Sequence, residues 1–166
     1  YYTPPAEFFG PDRPARELER MMGTLRERTE AKLALEEAEQ FLQASYEITA
    51  DQTLDFAAKL DRLLTLGCER FGLDVGFYAR VDPGADDLEV VQAVGDHDRI
   101  HDGATAPLSE TYCRKIVETA DTVVVRNAAA EGWAGDPADE HYDPGTYVGT
   151  PLVVDGDLRG TLCFGS

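Results

Sequence analysis

The stretch Tyr147–Gly165, YVGTPLVVDGDLRGTLCFG, decides the fold. Two strand-like runs, Gly145 to Val154 and Leu158 to Gly165, flank Asp155-Gly156-Asp157, and a turn of that composition between β-prone runs is a tight hairpin signal. Gly149 and Gly160 fall inside the strand patterns, where glycine marks a bulge or the close approach of another group. Two readings stay open for them: close packing of a helix on the sheet, or a ligand pressed on the backbone. Pro151 removes a ladder donor, so its strand is expected to be interrupted or near an edge at that point.

Upstream the same pattern recurs. Asp74 to Asp82 alternates, Pro83-Gly84-Ala85-Asp86 makes a turn, and Leu88 to Val94 returns, which predicts a second antiparallel hairpin. Thr122 to Arg126 reads as a short strand. Between these runs, Ser109 is an expected N-cap for a helix to about Thr119, with Tyr112, Cys113, Ile116 and Val117 on its apolar side. Before the first hairpin an amphipathic helix carries Leu54, Leu60, Leu63, Leu64 and Cys68 and ends at Gly72. Thr49-Ala-Asp-Gln-Thr53 separates it from a longer helix. Hairpins with helices set between them indicate α+β architecture rather than a parallel doubly wound sheet.

The expected organisation is an irregular end over 1–14, a linker or signalling helix over 15–50, and one domain over 51–166. Residues 1–14 hold Pro4, Pro5, Pro11 and Pro14, against regular structure. The linker is rich in Glu, Ala, Leu, Arg and Gln, with only Gly23 as a breaker. One heptad frame places Met21, Arg28, Leu35 and Leu42 at one seam position and Thr24, Ala31, Ala38 and Ser45 at the other. That seam is thin and partly polar, which leaves two readings open, a solvated helix and a parallel homodimer through this helix.

Charge excludes whole classes of function. In 166 residues, 32 Asp and Glu oppose 15 Lys and Arg, a formal net charge of -17. Direct binding of nucleic acid or anionic lipid needs clustered cations, which this chain does not have. The acid is dispersed and lysine is scarce, with only Lys32, Lys59 and Lys115. Such composition resembles proteins of salt-accumulating archaea, where high ionic strength screens self-repulsion. Three cysteines, Cys68, Cys113 and Cys163, do not read as a disulfide framework and imply a reducing, cytoplasmic setting. No run of 18 apolar residues and no signal peptide is present, so no membrane span is expected.

On LSETYCRKIVETADTVVVRNAAAEGW, then YVGTPLVVDGDLRGTLCFGS, the chain resembles the GAF domain, in particular the GAF modules of haloarchaeal sensor histidine kinases and bacterio-opsin activator-like regulators. The resemblance covers roughly Thr53 to Ser166. It implies a central antiparallel sheet with helices on one face and a small-molecule pocket on the other. It also implies a terminal helix, which the given sequence lacks after Ser166. With no initiator Met either, we expect a piece of a longer chain with its output domain elsewhere in the parent protein.

Candidate chemistry divides into three groups. The string Asp96-His97-Asp98-Arg99-Ile100-His101-Asp102 is metal-like in composition, but Gly95 and Gly103 bracket it as a solvated acidic loop, and no metal site is expected. Among the cysteines, Cys113 near a helix start beside Arg114 and Lys115 is the best candidate for an activated thiolate, with Cys163 next. Some GAF-fold proteins are methionine sulfoxide reductases, and others attach a bilin through a cysteine usually followed by histidine; Arg114 follows Cys113 here. No lysine follows Asn127, against the cyclic-nucleotide signature. Phosphate-cradling, acyl-transfer and zinc-hydrolase motifs are absent. The third group is amphipathic: Tyr112, Trp133, Tyr142, Tyr147 and Thr150 are the expected ligand-binding residues. The resulting expectation is a non-catalytic sensory module for an unidentified small molecule or for redox state. No cofactor is identified. A thiol-dependent enzyme using Cys113 or Cys163 is the alternative.

Overall fold

The computed structural model describes residues 13–142 and 145–166. The expected irregular end, up to residue 12, lies outside the described residues. By contacts the chain divides into Tyr1–Ala44 and Ser45–Ser166.

The first unit consists of most of helix α1, Arg13–Ala50. Its high-propensity composition holds the helix over 38 residues, supported by weak surface pairs such as Glu17 with Arg20 and Lys32 with Glu36. Thr24 and Thr29 turn their hydroxyls back onto the carbonyls of Arg20 and Leu25. Leu18, Met21, Leu25, Leu35 and Leu42 are all exposed.

The second unit opens with α2, Phe56–Phe71. Its N-cap is Asp55: Oδ1 of Asp55 accepts the Ala58 amide at 2.8 Å. Gly72 ends it in the left-handed region with φ 65°, the conformation a glycine tolerates without strain. Then follow β1 (Val75–Asp82), β2 (Asp87–Gly95), β3 (Thr105–Pro107), α3 (Cys113–Thr119), β4 (Val123–Val125), α4 (Pro137–Tyr142), β5 (Tyr147–Val154) and β6 (Asp157–Gly165). The strands form one six-stranded sheet in the order β3-β2-β1-β6-β5-β4, antiparallel at every pair. Both expected hairpins form.

Three local expectations change. Ser109 does not cap a helix: Leu108–Glu110 is a 3-10 turn, and Ser109 donates from its amide and hydroxyl to the Asp86 carboxylate at 2.7 and 2.8 Å. The helix starts later, at Cys113. The short strand β3 and the short helix α4 were not expected, the latter because Pro137–Tyr142 reads as an acidic loop. Pro151 behaves as expected. The β4 ladder reaches only Gly149, so the side of β5 where Pro151 lacks a donor needs no partner.

Period-2 alternation sorts the side chains between two faces. Phe77, Ala79, Tyr147 and Cys163 join the cluster that includes Leu88, Val90, Cys113 and Ile116. Tyr78, Val148, Leu162 and Phe164 lie on the opposite face with Leu60 and Leu64 of α2. Gly149 is where α3 meets the sheet: a Cβ there would sit 2.4 Å from Ile116 Cδ1. Close helix-on-sheet packing is therefore the reason for this glycine.

Candidate functional site

The sheet face opposite α2 encloses a cavity of about 50 Å³. Its walls come from β1 (Val75, Phe77), β2 (Leu88, Val90), the segment before and within β3 (Ala104, Ala106) and the start of α3 (Tyr112, Cys113). Ile100 closes it from the loop after β2, Tyr142 from the end of α4, and Tyr147 from β5.

The metal-like string is the loop forming one wall. His97 and Arg99 both line the cavity. Nδ1 of His97 accepts the amides of Arg99 and Ile100 at 3.1 and 3.2 Å, which fixes the ring proton of the neutral imidazole on Nε2. Oδ1 of Asp102 accepts the Ala93 amide at 2.8 Å and ties the loop to β2. Among the described residues no group of three or more His, Cys, Asp or Glu side chains is arranged to hold a metal ion. Among the described residues no carboxylate side chain lines the cavity. Its polar character comes from a guanidinium, an imidazole, hydroxyls and a thiol.

The expected ligand residues separate. Tyr112, Tyr142 and Tyr147 line the cavity, and the Tyr112 and Tyr147 rings stack with centroids 5.1 Å apart. Trp133 is on the same side of the sheet but outside the lining, packed on Tyr112 at 4.8 Å and under the Arg114 guanidinium at 5.6 Å. Arg114 in turn donates to both oxygens of Asp136, holding that carboxyl below its usual range. This clamp ties the 127–142 segment to α3. Thr150 alternates with Gly149 and so falls on the α2 face, where its hydroxyl meets that of Thr122 at 3.0 Å.

The cysteines produce the least anticipated geometry. Cys113 and Cys163, fifty residues apart, place their sulfurs 3.6 Å from each other. Both are buried, and Cys113 alone of the two lines the cavity. The Tyr147 hydroxyl donates to Cys163 Sγ at 3.1 Å and lies 3.5 Å from Cys113 Sγ. The Thr161 hydroxyl donates to Cys113 Sγ at 3.4 Å. The cations next to Cys113 in sequence do not act on it: Arg114 is held by Asp136, and Lys115 extends to Glu118 at 3.5 Å. Hydrogen bonding to Cys163, and then to Thr161 and Tyr147, outweighs desolvation and lowers the Cys113 thiol to about 7. Burial pushes Cys163 well up. The coupled pair therefore loses its first proton below the ordinary thiol range, and the Thr161 donor favours the charge on Cys113. Tyr147 is likewise raised, by burial first and then by the Cys113 charge.

A six-stranded antiparallel sheet with a helix on one face and a tyrosine-lined cavity on the other defines a small α+β module. Residues 53–166 match the family model described as GAF domain, and the chain belongs to the GAF family. Solved structures agree at the level of fold. The GAF domain from an Acinetobacter phosphoenolpyruvate-protein phosphotransferase is similar with a TM-score of 0.60 at 15% identity, covering 78% of this chain and 76% of that one. The free methionine-R-sulfoxide reductase of Neisseria meningitidis, solved with its substrate, gives 0.60 at 22% identity, with 78% and 72% covered. A phycocyanobilin-bound GAF domain from a cyanobacterial phytochrome gives 0.59 at 14% identity, with 75% and 79% covered. No curated protein matches the chain. Among the described residues no helix is long and apolar enough to cross a membrane.

Proposed function

We propose that residues 51–166 form a non-catalytic sensory module whose cavity takes a small, largely apolar molecule with an anionic or hydrogen-bond-accepting end. The observation that carries this reading is the lining itself: apolar walls from both hairpins, Arg99 and His97 at one side, and no carboxylate side chain among the described residues. Cavities with apolar walls and a few polar groups are the usual composition of small-molecule sites. Native mass spectrometry of the full chain, purified without denaturation from the cell that makes it, is expected to show a small bound mass that is lost in Ala104→Leu. A bare wild-type spectrum under conditions that retain non-covalent adducts counts against the reading.

The thiol-dependent reductase is the second reading, favoured by the meeting of Cys113 and Cys163. One feature weighs against it: among the described residues of the lining, the ammonium group of free methionine sulfoxide would find no carboxylate side chain.

The exposed apolar residues of α1 support a homodimer through this helix. Leu18, Leu25, Met21, Leu35 and Leu42 share two adjacent heptad positions, whereas Arg28 and Lys32 interrupt them. A helix with that much exposed apolar surface gains stability chiefly by packing, and a parallel pair would carry a bias from the sensory unit to an output domain, kinase or DNA-binding, in the parent chain. The acidity, -17 overall, fits a salt-accumulating archaeal host and predicts tighter association at high salt. Sedimentation of the full chain and of one beginning at Ser45, both in molar salt, is expected to give a dimer and a monomer. Monomers in both would remove the helix-mediated dimer.

A further inference from the structure

We propose that Cys113 and Cys163 form a hydroperoxide-reactive dithiol, Cys113 attacking and Cys163 resolving, which closes to a reversible intramolecular disulfide at the floor of the cavity. The assignment uses the same cavity as the proposed ligand but does not depend on a ligand being bound. It rests first on geometry. The two sulfurs lie 3.6 Å apart across α3 and β6, close enough that side-chain rotation and a small shift of the helix bring them to the bonding distance of about 2.0 Å. Access distinguishes the roles. Cys113 faces the cavity and Cys163 is fully covered behind it. Hydrogen peroxide, with two heavy atoms, is small enough to reach Cys113 through the cavity that this residue lines.

The chemistry balances on these residues. The Cys113 thiolate attacks one peroxide oxygen, the O–O bond breaks, and the departing hydroxide takes a proton to leave as water. Cys113 is then a sulfenic acid. The Cys163 thiol attacks its sulfur, the S–O bond breaks, and the hydroxyl leaves with the Cys163 proton as a second water. Two thiols have lost two electrons to one peroxide. The groups facing the reacting sulfur are Cys163 and the Thr161 hydroxyl of β6, Tyr147 of β5, Thr111 just before α3 and Tyr142 of α4, with Arg99 and His97 in the lining of the same cavity. Cys163, Tyr147 and Tyr142 are each shifted upward, so they remain neutral where Cys113, lowered to about 7, is ionised. The Thr161 hydroxyl stabilises that single charge by hydrogen bonding, and the Tyr147 hydroxyl, which donates to Cys163, lies 3.5 Å from Cys113 Sγ.

Closure has a structural consequence. The Tyr147 hydroxyl loses its two sulfur partners as thiols, and its ring is a wall of the cavity stacked on Tyr112. Oxidation would therefore reshape the ligand site directly. Cys68 takes no part: it packs on the α2 face with Phe164 and Leu162, and burial raises its thiol.

The test treats the reduced full chain and its Cys68→Ser variant with equimolar hydrogen peroxide. Both are expected to lose about 2 Da without dimerising, and non-reducing peptide mapping is expected to join the Cys113 and Cys163 peptides. Dithiothreitol should restore the original mass. Cys163→Ser should stop at a sulfenic acid on Cys113, read as a gain of about 16 Da in intact mass, and Cys113→Ser should slow oxidation at least about a hundredfold. The wild-type rate should rise about tenfold from pH 6 to pH 8 as the thiolate fraction grows. Oxidation first at Cys68, over-oxidation of either buried cysteine without a cross-link, or no reaction of Cys68→Ser at tenfold excess would each overturn the proposal. None of these outcomes bears on whether the cavity binds a carboxylate, so the two readings fail separately.

Discussion

Gly160→Val is expected to lower the free energy of unfolding by about 4 kcal/mol, at the upper end of single-residue effects. A Cβ at Gly160 would sit 2.2 Å from the Ala79 carbonyl oxygen and 2.8 Å from Tyr78 Cε2. The oxygen is backbone and cannot rotate away. Tyr78 is also anchored, since its hydroxyl donates to the Arg159 carbonyl at 3.2 Å. Relief therefore requires the end of the β1–β6 ladder, Ala79 against Thr161, to separate. Thr161 is fully buried and donates to Cys113, so the same separation disturbs the thiol pair. Gly145→Ala is the control, because nothing lies within 4 Å of a Cβ there. Urea denaturation of both variants checks the result, and equal midpoints for Gly160→Val and wild type would refute the packing account.

Oxidation of the thiol pair is expected to raise stability by a comparable amount. A cross-link between residues fifty apart in sequence removes loop-closure entropy from the unfolded chain worth about 4 kcal/mol on the chain-entropy model, less any strain from drawing α3 toward β6. The urea midpoint of the peroxide-treated Cys68→Ser chain should therefore exceed that of the same chain after dithiothreitol, with no such difference in Cys113→Ser. A midpoint unchanged by a mapped Cys113–Cys163 bond would mean that native-state strain cancels the entropic gain.

Much of this fold is local, and local features are legible. The hairpin at Asp155-Gly156-Asp157 and the αL stop at Gly72 each depend on a few adjacent residues, and both appear where the pattern places them. The position of Thr150 was legible too, although it was missed: Tyr147 and Thr150 differ by three along one strand, so period-2 alternation puts them on opposite faces. Other features are not written locally. Helix α4 carries no amphipathic signal in Pro137–Tyr142; the Asp136 carboxylate accepts the Ala138 amide at 2.9 Å and is gripped by Arg114 from another element. Strand β3 is three residues with a proline, below what any periodicity can detect. The approach of Cys113 to Cys163 depends on β6 lying between β1 and β5 while Ile116 seats α3 over Gly149. Neighbouring cations were the signal used to choose Cys113, and they proved to be engaged elsewhere. Hydroxyls of Tyr147 and Thr161 act on the sulfur instead, and their spacing in sequence gives no sign of it.

The central claim is that the sheet face opposite α2 holds a small ligand against Arg99 and His97. An amide-resolved NMR titration of the reduced full chain with propionate, with propylamine as the cationic counterpart, tests it most directly. The account predicts saturable shifts confined to β1, β2, the 96–104 loop and the start of α3, no response to propylamine, and loss of the propionate response in Ala104→Leu. Shifts scattered over the α2 face, or a wild-type spectrum that propionate leaves unchanged, would contradict it.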